Sequence, residues 1–146
     1  MELRDARVLI TGGSGFVGHH LAPRLAASGA HVTVLTRHPP RAAAVLPGID
    51  LMADPQAAAS RAPDVVINLA GAGIGDRPWS EGRRRLLRAS RIDYTRALRE
   101  AFTTRPPAVL VSASAIGYYG TSEHARFDET SERGAGFAAS LCADWE

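Results

Sequence analysis

The residues best suited to chemistry form a glycine-rich turn near the start of the chain. The segment TGGSGFVG, residues 11–18, follows an apolar run typical of a buried strand and opens a stretch with helical spacing. Unpaired backbone N–H groups and the positive end of a helix dipole therefore meet there. Gly12 permits the tight turn, Gly15 leaves room for a pyrophosphate, and Gly18 lets the helix pack against the strand. The alternative is a glycine-rich turn without a ligand. We assign to the predicted dinucleotide site Gly12, Ser14, Gly15, Phe16, Val17 and Gly18.

The end of the second predicted strand indicates which dinucleotide binds. An NAD site usually carries Asp or Glu roughly 20 residues past the glycine turn, bonded to the ribose 2′-hydroxyl. Residues 6–49 contain no acidic residue, and Thr36 and Arg37 occupy the expected position. A carboxylate would repel a 2′-phosphate, whereas a guanidinium forks onto it and a hydroxyl can donate to it. We therefore predict NADP rather than NAD. Alternatively, Arg37 is a solvated loop arginine. Arg41 can share the role of binding the 2′-phosphate.

Small residues follow the fourth predicted strand, where the chain reads Asn68-Leu69-Ala70-Gly71. They let the chain pass under the adenosine ribose and leave backbone groups free to bind it. The sequence therefore predicts that Leu69, Ala70 and Gly71 belong to the cofactor site. A plain exit from strand to loop is the alternative.

Short β-branched runs alternate with longer Ala/Leu/Arg segments along the chain. Apolar patterning predicts strands at residues 7–11, 31–36, 49–52, 64–69 and 108–112, and helices at 16–28, 41–46, 55–61, 80–103 and 137–146, the fourth bent near 89–90. Such alternation implies right-handed crossovers and a doubly wound parallel sheet, an α/β Rossmann fold in the order 3-2-1-4-5. The fifth strand would then be an exposed apolar edge. We interpret residues 1–146 as one NAD(P)-binding domain, incomplete at its carboxy-terminal edge, from a longer protein.

Composition excludes several classes of function. The formal charge is only +2 and aromatic residues make up 6%, so no basic stripe with stacking platforms indicates nucleic acid. No apolar run is long enough to span a membrane, and the segment before the first strand leaves no room for a signal peptide. A single cysteine, Cys142, suits a reducing compartment, and we expect a cytoplasmic protein. The five histidines show no metal-ligand spacing, so no metal site is expected.

With these motifs in place, the chain resembles the extended short-chain dehydrogenases/reductases, and more closely their atypical branch of "epimerase family" NAD(P)-binding proteins. The resemblance covers the whole chain and depends on residues 11–18, 68–71, 79–80, 90–91, 112–120 and 141–146. Full members of that branch carry a further substrate domain.

The resemblance also implies roles for individual residues. It places Thr36 and Arg37 at the 2′-phosphate side of the adenosine, and Leu69 and Ala70 at the ribose. It also singles out Arg91 as a residue that reaches back to the cofactor. The sequence by itself places Arg91 in an arginine run with residues 83, 84, 85 and 88, most of which we expect to form a solvated face.

Catalysis is the open question. Family enzymes use a serine, a tyrosine and a lysine four residues after the tyrosine, with the lysine lowering the pKa of the tyrosine. By the resemblance, Ser114 after the fifth strand is the counterpart of the serine. If Glu146 matches the acid that usually follows the lysine by four residues, the tyrosine and lysine positions hold Ala138 and Cys142. Tyr118 is a candidate acid that lacks a neighbouring cation, and packing against the nicotinamide or the core is its alternative role.

Three functional hypotheses remain open. The first is an NADP-dependent oxidoreductase or epimerase-like enzyme acting on an unknown small carbonyl or hydroxyl substrate. The second is a non-catalytic NADP(H)-binding sensor or interaction module, which the missing tyrosine and lysine favour. The third is a fragment without activity of its own. A homodimer is kept as a partner hypothesis.

Overall fold

Five parallel strands form the centre of the computed structural model, which describes residues 3–146. They pair in the order β3-β2-β1-β4-β5, which confirms the predicted doubly wound sheet. The strands are β1 (Arg7–Thr11), β2 (His31–Leu35), β3 (Asp50–Met52), β4 (Val65–Asn68) and β5 (Val109–Ser112).

Helices cover both faces of the sheet. They are α1 (Phe16–Ala27), α2 (Pro39–Ala43), α3 (Pro55–Ser60), α4 (Glu81–Arg88), α5 (Tyr94–Ala101) and α6 (Phe137–Trp145). A π-helical turn, Ala89–Asp93, joins α4 to α5. The predicted long helix over residues 80–103 is therefore two α-helices, and the junction lies at the expected bend. A short 3-10 helix, Ile116–Tyr119, was not predicted.

The apolar run of β1 explains why the sheet is buried on both sides. Val8 and Ile10 pack with residues of α1 and the α2 region, while Leu9 packs with residues of α3 and α5 on the opposite face. Successive side chains of a strand point to opposite faces, so a strand between two helical layers must be apolar at every position. The three central residues of β1, Val8 to Ile10, are therefore all apolar.

The β5 strand is the exception. It pairs with β4 alone, and Val109, Leu110 and Val111 are 38%, 46% and 48% exposed. This is the exposed apolar edge that the sequence predicts.

An ion pair joins the amino ends of two central strands. The guanidinium of Arg7, at the start of β1, donates to both carboxylate oxygens of Asp64, the residue before β4, at 2.8 and 3.2 Å. The backbone N–H of Arg7 also donates to this carboxylate. These hydrogen bonds lower the pKa of Asp64 from 3.8 to about 2. The pair lies at the edge of the sheet opposite to the glycine turn.

Replacing Asp64 by Asn should make the free energy of unfolding depend less on pH in the acid range. The pKa of Asp64 is 3.8 in the unfolded chain and about 2 in the folded protein. The ionised carboxylate therefore stabilises the fold fully above its unfolded pKa, and this stabilisation is lost as the pH falls through its folded pKa. Urea unfolding between pH 4 and pH 2 should therefore show a smaller loss of stability in Asp64→Asn than in the wild type. Glu100→Gln, an exposed carboxylate of α5, serves as the control. Equal acid slopes in Asp64→Asn and the wild type would contradict the prediction.

Candidate functional site

The glycine turn between β1 and α1 has the backbone geometry that its sequence predicts. Gly12 has a φ of +68°, a conformation that residues with a side chain rarely adopt. The backbone N–H of Gly15 donates to the carbonyl of Gly12 at 2.9 Å and closes the turn. A Cβ atom at Gly18 would lie 2.4 Å from the Cα of Gly13 and 2.6 Å from the Gly12 carbonyl oxygen. The third glycine therefore lets α1 pack closely on the turn that directly follows β1.

The first turn of α1 is open to solvent. Gly15 is its N-cap residue and provides no side-chain cap, and the first turn contains no acidic residue. By contrast, the side chains of Asp54 and Ser80 cap α3 and α4. The first N–H groups of a helix have no partner within the helix, so those of α1 remain able to bind an anion. Ser14, Phe16 and Val17 are exposed around this helix end.

The exit of β4 lies directly against this turn. A Cβ atom at Gly12 would be 2.6 Å from the carbonyl oxygen of Leu69 and 2.9 Å from the nitrogen of Ala70. The backbone N–H of Leu69 also donates to the carbonyl of Thr11 at 3.1 Å. The predicted cofactor residues at Leu69, Ala70 and Gly71 thus border the glycine turn.

A buried polar network lies beneath both turns and was not predicted from the sequence. Asn68 is fully buried, and its side-chain oxygen accepts a hydrogen bond from the Thr11 hydroxyl at 2.6 Å. Its amide nitrogen donates to the hydroxyls of Thr95 at 2.8 Å and Ser112 at 3.3 Å. The indole N–H of Trp145 donates to the same Thr95 hydroxyl at 3.1 Å. The Asn68 amide therefore links the ends of β1, β4 and β5 to α5, and the Thr95 hydroxyl extends this network to α6.

Thr36 and Arg37 lie just beyond β2, beside the glycine turn. The Thr36 hydroxyl accepts a hydrogen bond from the backbone N–H of His38 at 3.3 Å. Arg37 is exposed and forms no ion pair within residues 3–146. Its charge lies close to Tyr94, where burial raises the pKa of the phenol while the Thr11 hydroxyl and Arg37 lower it. The Arg37 guanidinium is therefore available to a ligand at this end of the crevice.

Arg91 is brought to the opposite side of the β4 exit. Its guanidinium carbon would be 3.0 Å from a Cβ atom at Gly71, and it stacks over the Trp145 ring at 5.3 Å from the ring centroid. Its hydrogen bonds are long, at 3.5 Å to the carbonyl of Leu87 and 3.4 Å to the hydroxyl of Ser90. Burial lowers the pKa of this guanidinium. Arg91 is thus a half-buried cation without a carboxylate partner in the described part of the chain.

The other arginines of this run are not all solvated, which corrects the expectation for that helix face. Arg83 is only 13% exposed, and its guanidinium donates to the carbonyl of Gly73 and approaches Asp76 at 3.5 Å. Arg88 pairs with Asp144 of α6 at 2.6 Å. Arg84 and Arg85 are exposed, as expected.

Hydrogen bonds also hold the glycine-rich loop that follows β4, residues 70–78. The Ala72 N–H donates to the Ser90 hydroxyl at 3.1 Å, and the Trp79 indole donates to the Ile74 carbonyl at 2.8 Å. The loop is therefore tied to the helices behind it.

Ser114 and Tyr118 lie beyond β5, at the carboxyl edge of the sheet. The Ser114 hydroxyl donates to the side-chain carboxylate of Glu146. The Tyr118 ring packs edge-on against Tyr119 with centroids 5.2 Å apart, and its hydroxyl forms no hydrogen bond within residues 3–146. The 3-10 helix that carries Tyr118 packs against the two α6 positions that would hold the tyrosine and the lysine. A Cβ atom at Gly117 would meet the Cβ of Ala138 at 3.3 Å and the sulfur of Cys142 at 3.8 Å.

The described residues contain neither a metal-binding cluster nor a membrane-spanning helix. Nowhere in residues 3–146 do three or more His, Cys, Asp or Glu side chains converge into a group that could hold a metal ion. In the same range, every helix is too short or too polar to span a bilayer.

The fold and the site together define a class. A doubly wound parallel sheet with a glycine turn, an uncapped first helix and a small-residue β4 exit is a Rossmann-type nucleotide-binding domain. Residues 8–140 match the model of the NAD dependent epimerase/dehydratase family, and the chain belongs to that family.

Individual relatives agree with this assignment. The chain is 38% identical over 149 aligned residues to the chloroplastic epimerase family protein SDR39U1 homolog of Arabidopsis thaliana, covering 95% of this chain and 43% of that protein. It is 37% identical to epimerase family protein ML0860 of Mycobacterium leprae, covering 98% of this chain and 47% of that protein. The chain therefore spans about half the length of the curated relatives that it matches.

Solved structures show the same similarity. The crystal structure of human epimerase family protein SDR39U1 (isoform 2) with NADPH superposes with a TM-score of 0.79 at 31% identity, covering 95% of this chain and 47% of that one. A UDP-galactose 4-epimerase structure superposes with a TM-score of 0.78 at 22% identity, covering 96% and 49%, which shows the shared fold alone.

Replacing Asn68 by Leu should destabilise the protein more than removing any single partner of its network. Leucine fills a similar volume but leaves the Thr11 hydroxyl without its acceptor and the Thr95 hydroxyl without the amide donor. A buried polar group that loses its partner costs about 1–3 kcal/mol, so we expect a loss of at least about 2 kcal/mol in urea unfolding. Ser112→Ala, which removes only the 3.3 Å contact at an exposed hydroxyl, should cost less than about 1 kcal/mol. Similar losses in the two variants would show that the network does not stabilise the fold.

Proposed function

We propose that this chain is the NADP(H)-binding part of an oxidoreductase or epimerase-like enzyme that acts on a small carbonyl or hydroxyl substrate. The observation that carries the proposal is the open first turn of α1 at Gly15, with the β4 exit packed directly beside it. This arrangement presents backbone N–H groups, a helix dipole and glycine surface to a diphosphate. The residues present therefore fit a dinucleotide.

The preference for NADP over NAD depends on the residues that follow β2. The exposed Arg37 guanidinium has no ion-pair partner in the described residues, and Thr36 lies beside it. A guanidinium and a hydroxyl are suited to a 2′-phosphate, and no carboxylate stands in residues 6–49 to hold a ribose hydroxyl or repel the phosphate. The NADPH in the human SDR39U1 structure, at 31% identity, supports the same choice.

The remaining cofactor contacts follow from the β4 exit. Leu69 and Ala70 would pass beneath the adenosine ribose, and Gly71 would leave space next to the Arg91 guanidinium. The cation of Arg91 would meet the cofactor from the helix side. When bound, NADP⁺ supplies a hydride acceptor and NADPH a hydride donor, and the protein residues bind and orient it.

A non-catalytic NADP(H)-binding sensor or interaction module is the second candidate function. It is favoured by one specific observation: the α6 positions that would carry the tyrosine and lysine of related enzymes hold Ala138 and Cys142. All 17 basic residues of the chain are arginines, so no lysine elsewhere in it can replace the missing one. Cofactor binding is common to both functions.

Two further expectations stay predictions. A cytoplasmic location suits the single free thiol of Cys142, because a reducing compartment keeps thiols unpaired. The second prediction is a homodimer, which sedimentation of the full-length protein would test.

Replacing Arg37 by Ala should weaken the binding of NADPH far more than that of NADH. A charged hydrogen bond contributes about 1.5–3 kcal/mol, so we expect a loss of about 10- to 100-fold for NADPH and almost none for NADH. Isothermal titration calorimetry on the full-length protein measures both affinities. Arg41→Ala tests the alternative phosphate ligand, and Arg85→Ala, an exposed arginine of α4, is the control. Equal losses of the two cofactors in Arg37→Ala would refute the 2′-phosphate assignment.

Replacing Gly15 by Ala should weaken both cofactors alike. The Gly15 backbone has an ordinary φ of −79°, and a Cβ atom there would meet only the Gly12 carbonyl oxygen, at 3.1 Å. The fold should therefore tolerate alanine, while the added methyl group blocks the diphosphate. Overpacking of this kind costs about 1–3 kcal/mol, or about 10- to 100-fold in affinity. Gly75→Ala, in a loop where a Cβ atom meets nothing within 4 Å, is the matched control. Wild-type affinity in Gly15→Ala would place the diphosphate elsewhere.

A further inference from the structure

The Ser114 hydroxyl and the Glu146 carboxylate form a hydrogen bond at the carboxyl edge of the sheet. Ser114 follows β5, and Glu146 follows the last residue of α6. Both side chains are exposed, so a ligand in the crevice can reach them. Ser114 and Glu146 are 32 positions apart in the sequence, and only the fold brings them together.

The elements that carry the pair are fixed against each other. The sulfur of Cys142 would lie 3.8 Å from a Cβ atom at Gly117, in the 3-10 helix that follows β5. The backbone N–H of Glu146 donates to the Cys142 carbonyl at 3.0 Å. The Trp145 indole is held by Thr95 at 3.1 Å. The end of α6 is thus held by α5 through Trp145 and packs on the 3-10 helix after β5, independently of the Ser114–Glu146 hydrogen bond.

The direction of the hydrogen bond decides what Ser114 can offer to a ligand. An ionised carboxylate only accepts, so the Ser114 hydroxyl proton points to Glu146. The serine oxygen then has only lone pairs left for a ligand in the crevice. A substrate hydroxyl, which donates a proton, fits this arrangement, whereas a carbonyl oxygen meets a second acceptor.

We propose that Ser114 and Glu146 form an acid–base pair that deprotonates a secondary alcohol substrate, with Glu146 as the final proton acceptor. The proposal rests on the proposed function, because the accompanying hydride needs NADP⁺ as its acceptor. The substrate O–H proton moves to the Ser114 oxygen as the Ser114 proton moves to the Glu146 carboxylate. The O–H electron pair becomes the second bond of the ketone carbonyl, and the hydrogen on the carbinol carbon leaves with its bonding electrons as hydride to NADP⁺. The products are a ketone, NADPH and a protonated Glu146, which returns its proton to water.

Other groups near the crevice are less suited to this role. Burial raises the pKa of the Cys142 thiol, which keeps it protonated. The Arg88 guanidinium donates to Asp144 and lowers the pKa of that carboxyl, so its carboxylate is engaged and weakly basic. Tyr118 packs against Tyr119 and has no partner to receive a proton in the described residues. Glu146 forms no ion pair within residues 3–146, so its negative charge is not neutralised by a bound cation.

The experiment measures NADP⁺-dependent oxidation of a panel of secondary alcohols and sugar nucleotides by the full-length protein, through nicotinamide absorbance. Glu146→Gln keeps the shape and can still accept the Ser114 hydrogen bond, but it takes up no proton. We expect Glu146→Gln and Ser114→Ala each to lose about 100-fold or more in kcat, which is the usual contribution of a general base. The double variant should lose no more than either single one, because both groups act in one relay. Asp144→Asn, the neighbouring carboxylate of α6, should retain the wild-type kcat.

Two further readouts separate catalysis from a structural role. NADPH affinity by calorimetry and the urea unfolding midpoint should be the same in Glu146→Gln and in the wild type. The loss in Glu146→Gln should fall on kcat, with KM close to the wild-type value. A lower unfolding midpoint together with reduced NADPH affinity in Glu146→Gln would show a structural role and overturn the proposal.

The remaining outcomes separate this proposal from the proposed function. If the wild type binds NADPH but oxidises no compound of the panel, or if Glu146→Gln keeps its kcat within about threefold, the acid–base pair is refuted and cofactor binding stands. If the wild type binds neither NADPH nor NADH, the proposed function itself fails.

Discussion

The hydrogen bonds of one buried amide hold the candidate site in place. Asn68 accepts from Thr11 and donates to Thr95 and Ser112, and it does so with no exposure to solvent. Because an unpaired amide is costly in a buried position, each partner has a fixed place relative to the others. Thr11 precedes the glycine turn and Ser112 ends β5, so the cofactor end and the candidate chemical end of the crevice share one support.

The same network extends to the charged groups of the crevice. Trp145 donates to Thr95, carries the Arg91 guanidinium on its ring, and is followed by Glu146, the partner of Ser114. A shift of the α6 end would therefore displace the cation proposed for the cofactor and the carboxylate proposed for the substrate together. Rigid elements of this kind hold functional groups more accurately than loops do.

The family provides the fold but not every functional group. The chain belongs to the NAD dependent epimerase/dehydratase family, yet α6 contains neither a tyrosine nor a lysine and places Ala138 and Cys142 next to Gly117. A fold hosts many activities, so function has to be argued from the groups that are present. Here these are a serine hydrogen-bonded to a carboxylate and a half-buried arginine, which we propose as the functional groups on this shared scaffold.

The sequence alone determined the parallel sheet order, the glycine turn and the exposed apolar β5, because these follow from local backbone rules and from apolar patterning read along the chain. It did not separate the half-buried Arg83 from the exposed arginines of its run, because that depends on which segments meet in space. Only the tertiary structure decided that Ser114 meets Glu146. A hydrogen bond between residues 32 positions apart leaves no periodic signal in the sequence, since its geometry is set by the packing of α6 against the end of β5.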